Sequence, residues 1–280
     1  MNVRTLFVFA TGRDAMLAAD HVRAIQWACQ GSHFTIVMDC GQGLDTLPGV
    51  EAGFTVVRAE VPGAAAGFVC GAGLRWAVDQ GYVAEQVIML ADTCLPIGQG
   101  LDTWAAATLK SQKIGLLGVI DRLNFEPSYA RCRPQLAAWR LPYTLFAPAD
   151  ETVHEAILVA PWLTITELYR YNLLAPTDCE YWPLTYGAYI SWAVQMLGYY
   201  LVGWGRMTRP LPPLFVANAT QPRCLPAPHI LSDRFLAFAD VRQVGGYSEA
   251  AIRAVYQQRR GEAVEIPQHG PVVLPPQLEY

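Results

Sequence analysis

The sequence predicts an α/β protein of one domain, with a mostly parallel twisted sheet flanked by helices. Three observations predict it. Short β-prone runs alternate with helix-length segments through residues 1–120. Those runs are continuously apolar, as expected for strands covered on both faces. The segments between them are long enough to be crossover helices, which makes successive strands parallel with right-handed connections.

The elements follow in order. Thr5–Ala10 is a strand, and Asp14–Gln30 carries Met16, Leu17, Val22, Ile25 and Trp27 at helical spacing. Phe34–Met38 is a second strand ending at Asp39-Cys40-Gly41, and Phe54–Arg58 is a third. Gly63–Gly67 reads as a small-residue loop before a helix over Cys70–Gln80. Gln86–Leu90 is a fourth strand ending at Ala91-Asp92-Thr93, followed by a helix over Leu101–Leu109 and a strand over Ile114–Ile120.

The second half is less regular. Residues 121–150 hold several prolines and few periodic runs, so a long loop or insertion is expected there. Ala156–Ala160 reads as a short strand. Residues 181–205 carry no charge, a length that would cross a bilayer at about 20 residues. Pro183, Thr185, Ser191, Gln195 and the glycines interrupt that run. The expectation is a buried helix over Tyr186–Leu197, a turn at Gly198 and a strand over Tyr199–Trp204, with a peripheral membrane contact through the aromatics as the alternative. Pro210–Pro228 is a proline-rich connection, Ser248–Arg260 looks helical, and 262–280 is an extended tail. There is no internal repeat, and no composition shift divides the 280 residues.

Composition narrows the function classes. Hydrophobic residues make up 52% and charged residues 16%, which excludes a disordered chain. The formal charge of −4 and the pI near 5.7 argue against nucleic-acid binding, which needs a basic face. The cysteines number seven with no CxxC pair, a pattern of isolated thiols in a reducing, cytoplasmic compartment. Leu6–Ala10 is too short for a secretory h-region, so no leader is expected. The glycines at 41, 43, 71 and 73 do not form G-x-G-x-x-G, and neither a P-loop nor G-x-S-x-G occurs.

In parallel sheets, ligands collect beyond the carboxyl ends of the strands. The residues there are Thr11-Gly12-Arg13, Asp39-Cys40-Gly41 and Asp92-Thr93. Three polar or glycine-bearing turns at one sheet edge make a binding crevice. Each residue also has a plain structural reading. Asp39 suits a turn, Arg13 suits a helix start, and Cys40 and Cys94 suit separate buried thiols.

The order of these signals resembles the GT-A glycosyltransferases, especially the family-2-like group that uses nucleotide-activated sugars. Phe7-Val8-Phe9-Ala10-Thr11-Gly12-Arg13 is similar to that group's opening strand and T-x-x-R turn. Ile36-Val37-Met38-Asp39 is similar to its second strand, whose Asp meets uracil or ribose. Gly67 to Arg75 resembles its glycine-rich loop and helix, with Gly71 where the family usually has Asn. Val87 to Pro96 resembles the strand leading into the D-x-D motif, and Asp178, Tyr181-Trp182 and Gly198-Tyr199 resemble a later acidic and aromatic stretch.

The resemblance implies a GT-A fold with a Rossmann-like nucleotide-binding half over 1–120 and an acceptor-side half over 121–261. It implies transfer of a sugar from a nucleotide-sugar such as a UDP-sugar to a hydroxyl acceptor. Thr11, Gly12, Arg13, Asp39, Arg75 and Asp92 would hold the donor. Nucleotidyl transfer and a catalytically silent GT-A-like binding protein are the alternatives.

Two departures stand out. D-x-D gives a divalent cation, Mn or Mg, its carboxylate oxygens. The triplet here is Leu90-Ala91-Asp92, so Asp92 alone remains, with His229 as a candidate additional metal ligand. The family's Glu-Asp pair falls on Tyr186-Gly187, so the acceptor's general base is expected from Asp178 or Glu180 just upstream. His154-Glu155 reads either as an acceptor-facing pair or as a strand entry.

Overall fold

The first strand, β1 (Asn2–Thr11), sorts its side chains to two opposite cores. Leu6, Val8 and Ala10 join one cluster, and Phe7 and Phe9 join the other. Successive strand residues point to opposite faces, so a strand with helices on both sides must be apolar throughout. This computed structural model describes residues 1–12, 14–60, 66–92, 94–96, 99–110, 113–122, 151–175, 186–203, 230–232 and 236–239.

Around β1 the described chain runs α1 (Ala15–Ala28), β2 (His33–Asp39), β3 (Phe54–Arg58), α2 (Ala66–Asp79), β4 (Val83–Leu90), β5 (Cys94–Pro96), α3 (Leu101–Thr108) and β6 (Ile114–Arg122). It continues with β7 (Glu151–Pro161), α4 (Trp162–Arg170), α5 (Tyr186–Met196), β8 (Tyr200–Gly203), β9 (Ile230–Ser232) and β10 (Leu236–Ala239). The main sheet has seven strands in the order β3-β2-β1-β4-β7-β6-β8. Its pairings are parallel except on the two sides of β7, which runs antiparallel to both β4 and β6. The expected class, a mostly parallel sheet flanked by helices, is therefore what the chain adopts.

The two faces are built differently. On one, α1 and α3 lay Ala18, Val22, Ile25, Leu101 and Ala105 against Phe7, Phe9 and Ile88. On the other, α2 and α5 supply Phe68, Leu74, Tyr186, Tyr189 and Trp192. Helix α2 begins four residues before the predicted Cys70, with Gly67 in helix rather than loop. A Cβ at Gly73 would stand 2.7 Å from the Met38 sulfur, so the absence of a side chain lets α2 lie close on the sheet. A Cβ at Gly67 would overlap the Tyr186 side chain.

Charged and polar groups tie the opposite end of the sheet. Asp102, fully buried at the start of α3, accepts from the backbone N–H of Gln30 (3.0 Å) and of Gly31 (2.7 Å). Gln86 Nε2 donates to Thr5 Oγ1 and to the Asp102 carbonyl. These bonds hold the α1–β2 turn, β1, β4 and α3 together away from the crevice.

One further expectation from the sequence changes in extent here, and others are met or fall outside the described residues. The strand expected over Ala156–Ala160 is the 11-residue β7. Helix α4 and the small sheet β5-β10-β9 had no clear signal. The helix and strand expected over 186–204 are α5 and β8, and among the described residues no helix is long and apolar enough to cross a membrane. The loop expected over 121–150 falls outside the described residues beyond 122, as do the helix over 248–260 and the tail.

Candidate functional site

The site is built by strand register. The β1–β2 ladder ends with Thr11 opposite Asp39. The β1–β4 ladder ends with Val8 opposite Met89, and three residues further along each strand stand Thr11 and Asp92. There the Thr11 hydroxyl donates to Asp92 Oδ2 at 3.3 Å. Asp39, Thr11 and Asp92 thus form a row across the carboxyl ends of β2, β1 and β4, the edge where ligands of parallel sheets bind.

The members of the row are not equivalent. Thr11 and Asp39 are each 1% exposed, whereas Asp92 is half-buried. Asp39 is occupied by the turn that follows it. Its Oδ1 accepts from the Gln42 N–H (2.8 Å), and its Oδ2 accepts from those of Gly43 (2.9 Å) and Leu44 (3.2 Å). Gly41 at φ 102° and Gly43 at φ 71° let the chain curl around the carboxylate, in a backbone region that glycine enters without strain. The structure therefore gives Asp39 a turn-building task, with most of a carboxylate's roughly four acceptor positions taken.

Cys40 belongs to this cluster, at the sheet edge where the sequence placed it. Its N–H donates to the Thr11 carbonyl at 2.9 Å. Burial pushes the thiol's pKa up, and the nearby Asp39 and Asp92 carboxylates push it further, with a smaller opposing effect from the bond to Thr11. The group is a neutral thiol at neutral pH and a weak nucleophile. Its adjacency to Asp39 in sequence was the available signal. Beside it, Gly12 is exposed, and among the described residues a Cβ there would meet no atom within 4 Å, so none of those residues closes the approach to the row at that point. Helix α1 opens directly after, with Asp14 accepting from the Leu17 N–H at 2.9 Å as its N-cap.

Arg75 lies on α2. On the third turn of α2 it donates to Asn172 Oδ1 at 2.8 Å and to the Ala175 carbonyl. It ties α2 to the segment after α4, whereas the row lies at the strand ends. Arg13, Asp178, Glu180 and His229 lie outside the described residues. His154 and Glu155 fall within β7, which separates β4 from β6.

The position that the resemblance gives to a Glu-Asp pair is filled by core. Tyr186, fully buried, donates its hydroxyl to the Leu174 carbonyl at 2.9 Å and meets Phe68 edge-on with ring centroids 5.1 Å apart. Burial raises its hydroxyl pKa well above the ordinary tyrosine value, so it stays neutral. A Cβ on Gly71 would overlap the Leu174 carbonyl and stand 2.7 Å from the Tyr186 hydroxyl oxygen. The two departures from the family pattern, at 71 and at 186, are therefore one packing arrangement.

For a divalent cation the donor set is thin. Among the described residues no group of three His, Cys, Asp or Glu is arranged to hold a metal. Asp92 is the row's half-buried carboxylate, while Asp39 is committed to backbone donors. These residues fit a hard cation that takes most of its oxygens from a bound diphosphate, as Mg²⁺ commonly does with one or two carboxylates.

No family model and no curated protein matches the sequence. Among solved structures, the chain is similar to a mannosyltransferase from Pyrobaculum calidifontis in complex with GDP-Man and Mn2+. The two are 14% identical with a TM-score of 0.47, over 95% of this chain and 66% of that one. It is similar to the galactosyltransferase LgtC in complex with donor and acceptor sugar analogs, at 12% identity and a TM-score of 0.48, over 96% of this chain and 98% of that one. Mouse xyloside xylosyltransferase 1 in its apo form is 11% identical with a TM-score of 0.36, over 73% of this chain and 85% of that one.

Proposed function

We propose that the chain binds a nucleotide-sugar at the carboxyl edge of β2, β1 and β4 and transfers the sugar to a hydroxyl-bearing acceptor. The observation that carries this reading is the registered row Asp39–Thr11–Asp92, beside the exposed Gly12. Its residues are those in which the sequence resembles the GT-A glycosyltransferases. In this reading Asp39 shapes the turn over residues 40–44 against which the nucleoside lies. Asp92 meets the diphosphate through a divalent cation, Mn or Mg. Such a cation neutralises charge on the diphosphate leaving group. Arg13 lies next in sequence to Gly12 and is assigned to the phosphates.

On the acceptor side, Asp178 or Glu180 is assigned to take the proton of the attacking hydroxyl, because Tyr186 and Gly187 offer no carboxylate. His229 is assigned as an additional ligand to the cation. Cys29 and Cys40 are unbridged thiols, which suits the reducing, cytoplasmic setting of this reading. A second reading, binding of the nucleotide-sugar without transfer, is favoured by the burial of Tyr186 where the family pattern has its acidic pair.

A thermal-shift screen of nucleoside diphosphates and their sugars, with and without Mn²⁺, tests the binding. A ligand held only by the folded state raises apparent stability by mass action, about 2.7 kcal/mol at one hundred times its Kd. A shift with at least one nucleotide, larger with Mn²⁺, is expected. No shift across the panel would remove the proposal. Product formation with a panel of acceptors then separates transfer from binding alone.

A further inference from the structure

We propose that Thr11 is a positioning residue whose hydroxyl fixes the Asp92 carboxylate for a cation–diphosphate ligand. The inference rests on the reading of Asp92 given above and assigns Thr11 a different task from direct contact with the donor. Thr11 is 1% exposed, so its side chain belongs to the layer beneath the crevice surface. Its hydroxyl is engaged laterally, donating to Asp92 Oδ2 at 3.3 Å across a sequence separation of 81. Asp92 is the more exposed partner, in the turn after β4.

The arrangement is specific to the end of the ladder. Pairing between β1 and β4 runs to Val8 and Met89, and Thr11 and Asp92 stand three residues further along each segment. The Thr11–Asp92 bond continues the same register by a side chain. The threonine is in turn fixed on its other flank, where its backbone pairs with Asp39 and its carbonyl accepts from the Cys40 N–H. A β-branched residue in a strand has restricted χ1, so the hydroxyl is presented without much loss of rotamer freedom. With Oδ2 held, the carboxylate cannot swing freely about χ2, and its orientation is set before a ligand arrives. Partners that orient a metal-binding carboxylate in this way typically change metal affinity 10- to 100-fold.

The test uses the full chain, Mn²⁺ as the cation and UDP as the nucleotide probe. Free Mn²⁺ is read by electron paramagnetic resonance, and UDP binding by calorimetry with Mn²⁺ and in chelator. Thr11→Val keeps the shape and removes the donor, and Thr11→Ser keeps the donor. The expected result is that Thr11→Val weakens Mn²⁺ uptake by the UDP complex about tenfold. It leaves UDP binding in chelator unchanged, and Thr11→Ser retains wild-type uptake. A structural role alone would weaken both forms of UDP binding together, and that outcome would overturn the proposal. So would a Thr11→Val protein that takes up Mn²⁺ like wild type while Asp92→Asn does not. If Asp92→Asn also leaves uptake unchanged, the reading of Asp92 itself is wrong and the proposal falls with it. If Thr11→Val fails to give a cooperative melt, Thr11→Ala carries the same comparison.

Discussion

The replacement Gly71→Ala tests the packing that distinguishes this chain from the family pattern it resembles. In an isolated helix the change would be favourable by about 1 kcal/mol, because alanine is the better helix former. In α2 the new Cβ overlaps the Leu174 carbonyl and comes within 2.7 Å of the Tyr186 hydroxyl oxygen. Overpacking of this kind typically costs about 1–3 kcal/mol. If Tyr186 retreats, its 2.9 Å bond to the Leu174 carbonyl breaks in a fully buried setting. Leaving those groups unpaired adds about 1–3 kcal/mol. Set against the helix gain, the net loss is about 1–5 kcal/mol. With a urea m-value of about 3 kcal/mol/M, a loss in the middle of that range lowers the unfolding midpoint by about 1 M. The assay is urea unfolding followed by circular dichroism. A second variant isolates the hydroxyl. Tyr186→Phe removes the nearer side-chain obstacle, so the double variant should lose less than the sum of the singles, by about 0.5–3 kcal/mol. A midpoint for Gly71→Ala at or above wild type would refute the packing argument, and strict additivity would show that the hydroxyl is not the obstacle.

The other predictions address the site and its supports. Asp39→Ala removes the acceptor of the Gln42, Gly43 and Leu44 N–H groups and should weaken UDP binding by about 1–3 kcal/mol in calorimetry. Faster hydrogen exchange of those three amides should accompany the loss, and unchanged exchange would contradict the turn-building task. Arg75→Ala severs the ties to Asn172 and Ala175 and should lower stability by about 1–2 kcal/mol while leaving nucleotide affinity intact; a loss of affinity without a loss of stability would return Arg75 to the ligand. The Tyr199 hydroxyl is raised to about 12 by burial and by its bond to Glu167. Its folded pKa exceeds its unfolded value of about 10, so its contribution is full below pH 10 and is lost as pH rises through 12. Tyr199→Phe should flatten that part of the alkaline unfolding profile, with tyrosinate absorbance reporting the titration.

Much of the scaffold was legible from residue type alone. Phe54–Arg58 is the observed β3 to the residue, and the runs at 5–10, 34–38 and 86–90 lie inside longer strands. Strands buried on both faces have to be apolar throughout, and that local requirement is written in the sequence. Where elements were extended or missed, polar or small residues had diluted the pattern. Glu151, Thr152, His154 and Glu155 hid the first half of β7, and Gly67 made the start of α2 look like a loop. Helix α4 buries only Thr164, Ile165 and Leu168, too few apolar positions to stand out.

For the site, the sequence by itself determined that Thr11, Asp39 and Asp92 end strands of one sheet. Only the tertiary structure decided their surroundings. Strand order set Thr11 between the two carboxylates, and register set all three level. Burial then separated Asp92 from the two residues beneath the crevice surface. The same holds for Gly71, whose missing side chain is explained by the Tyr186 hydroxyl and the Leu174 carbonyl. The physical reason is that apolar periodicity reports what each residue needs from its own surroundings. The partner of the Thr11 hydroxyl lies 81 residues away, and its identity is fixed by which strands pair and in what register.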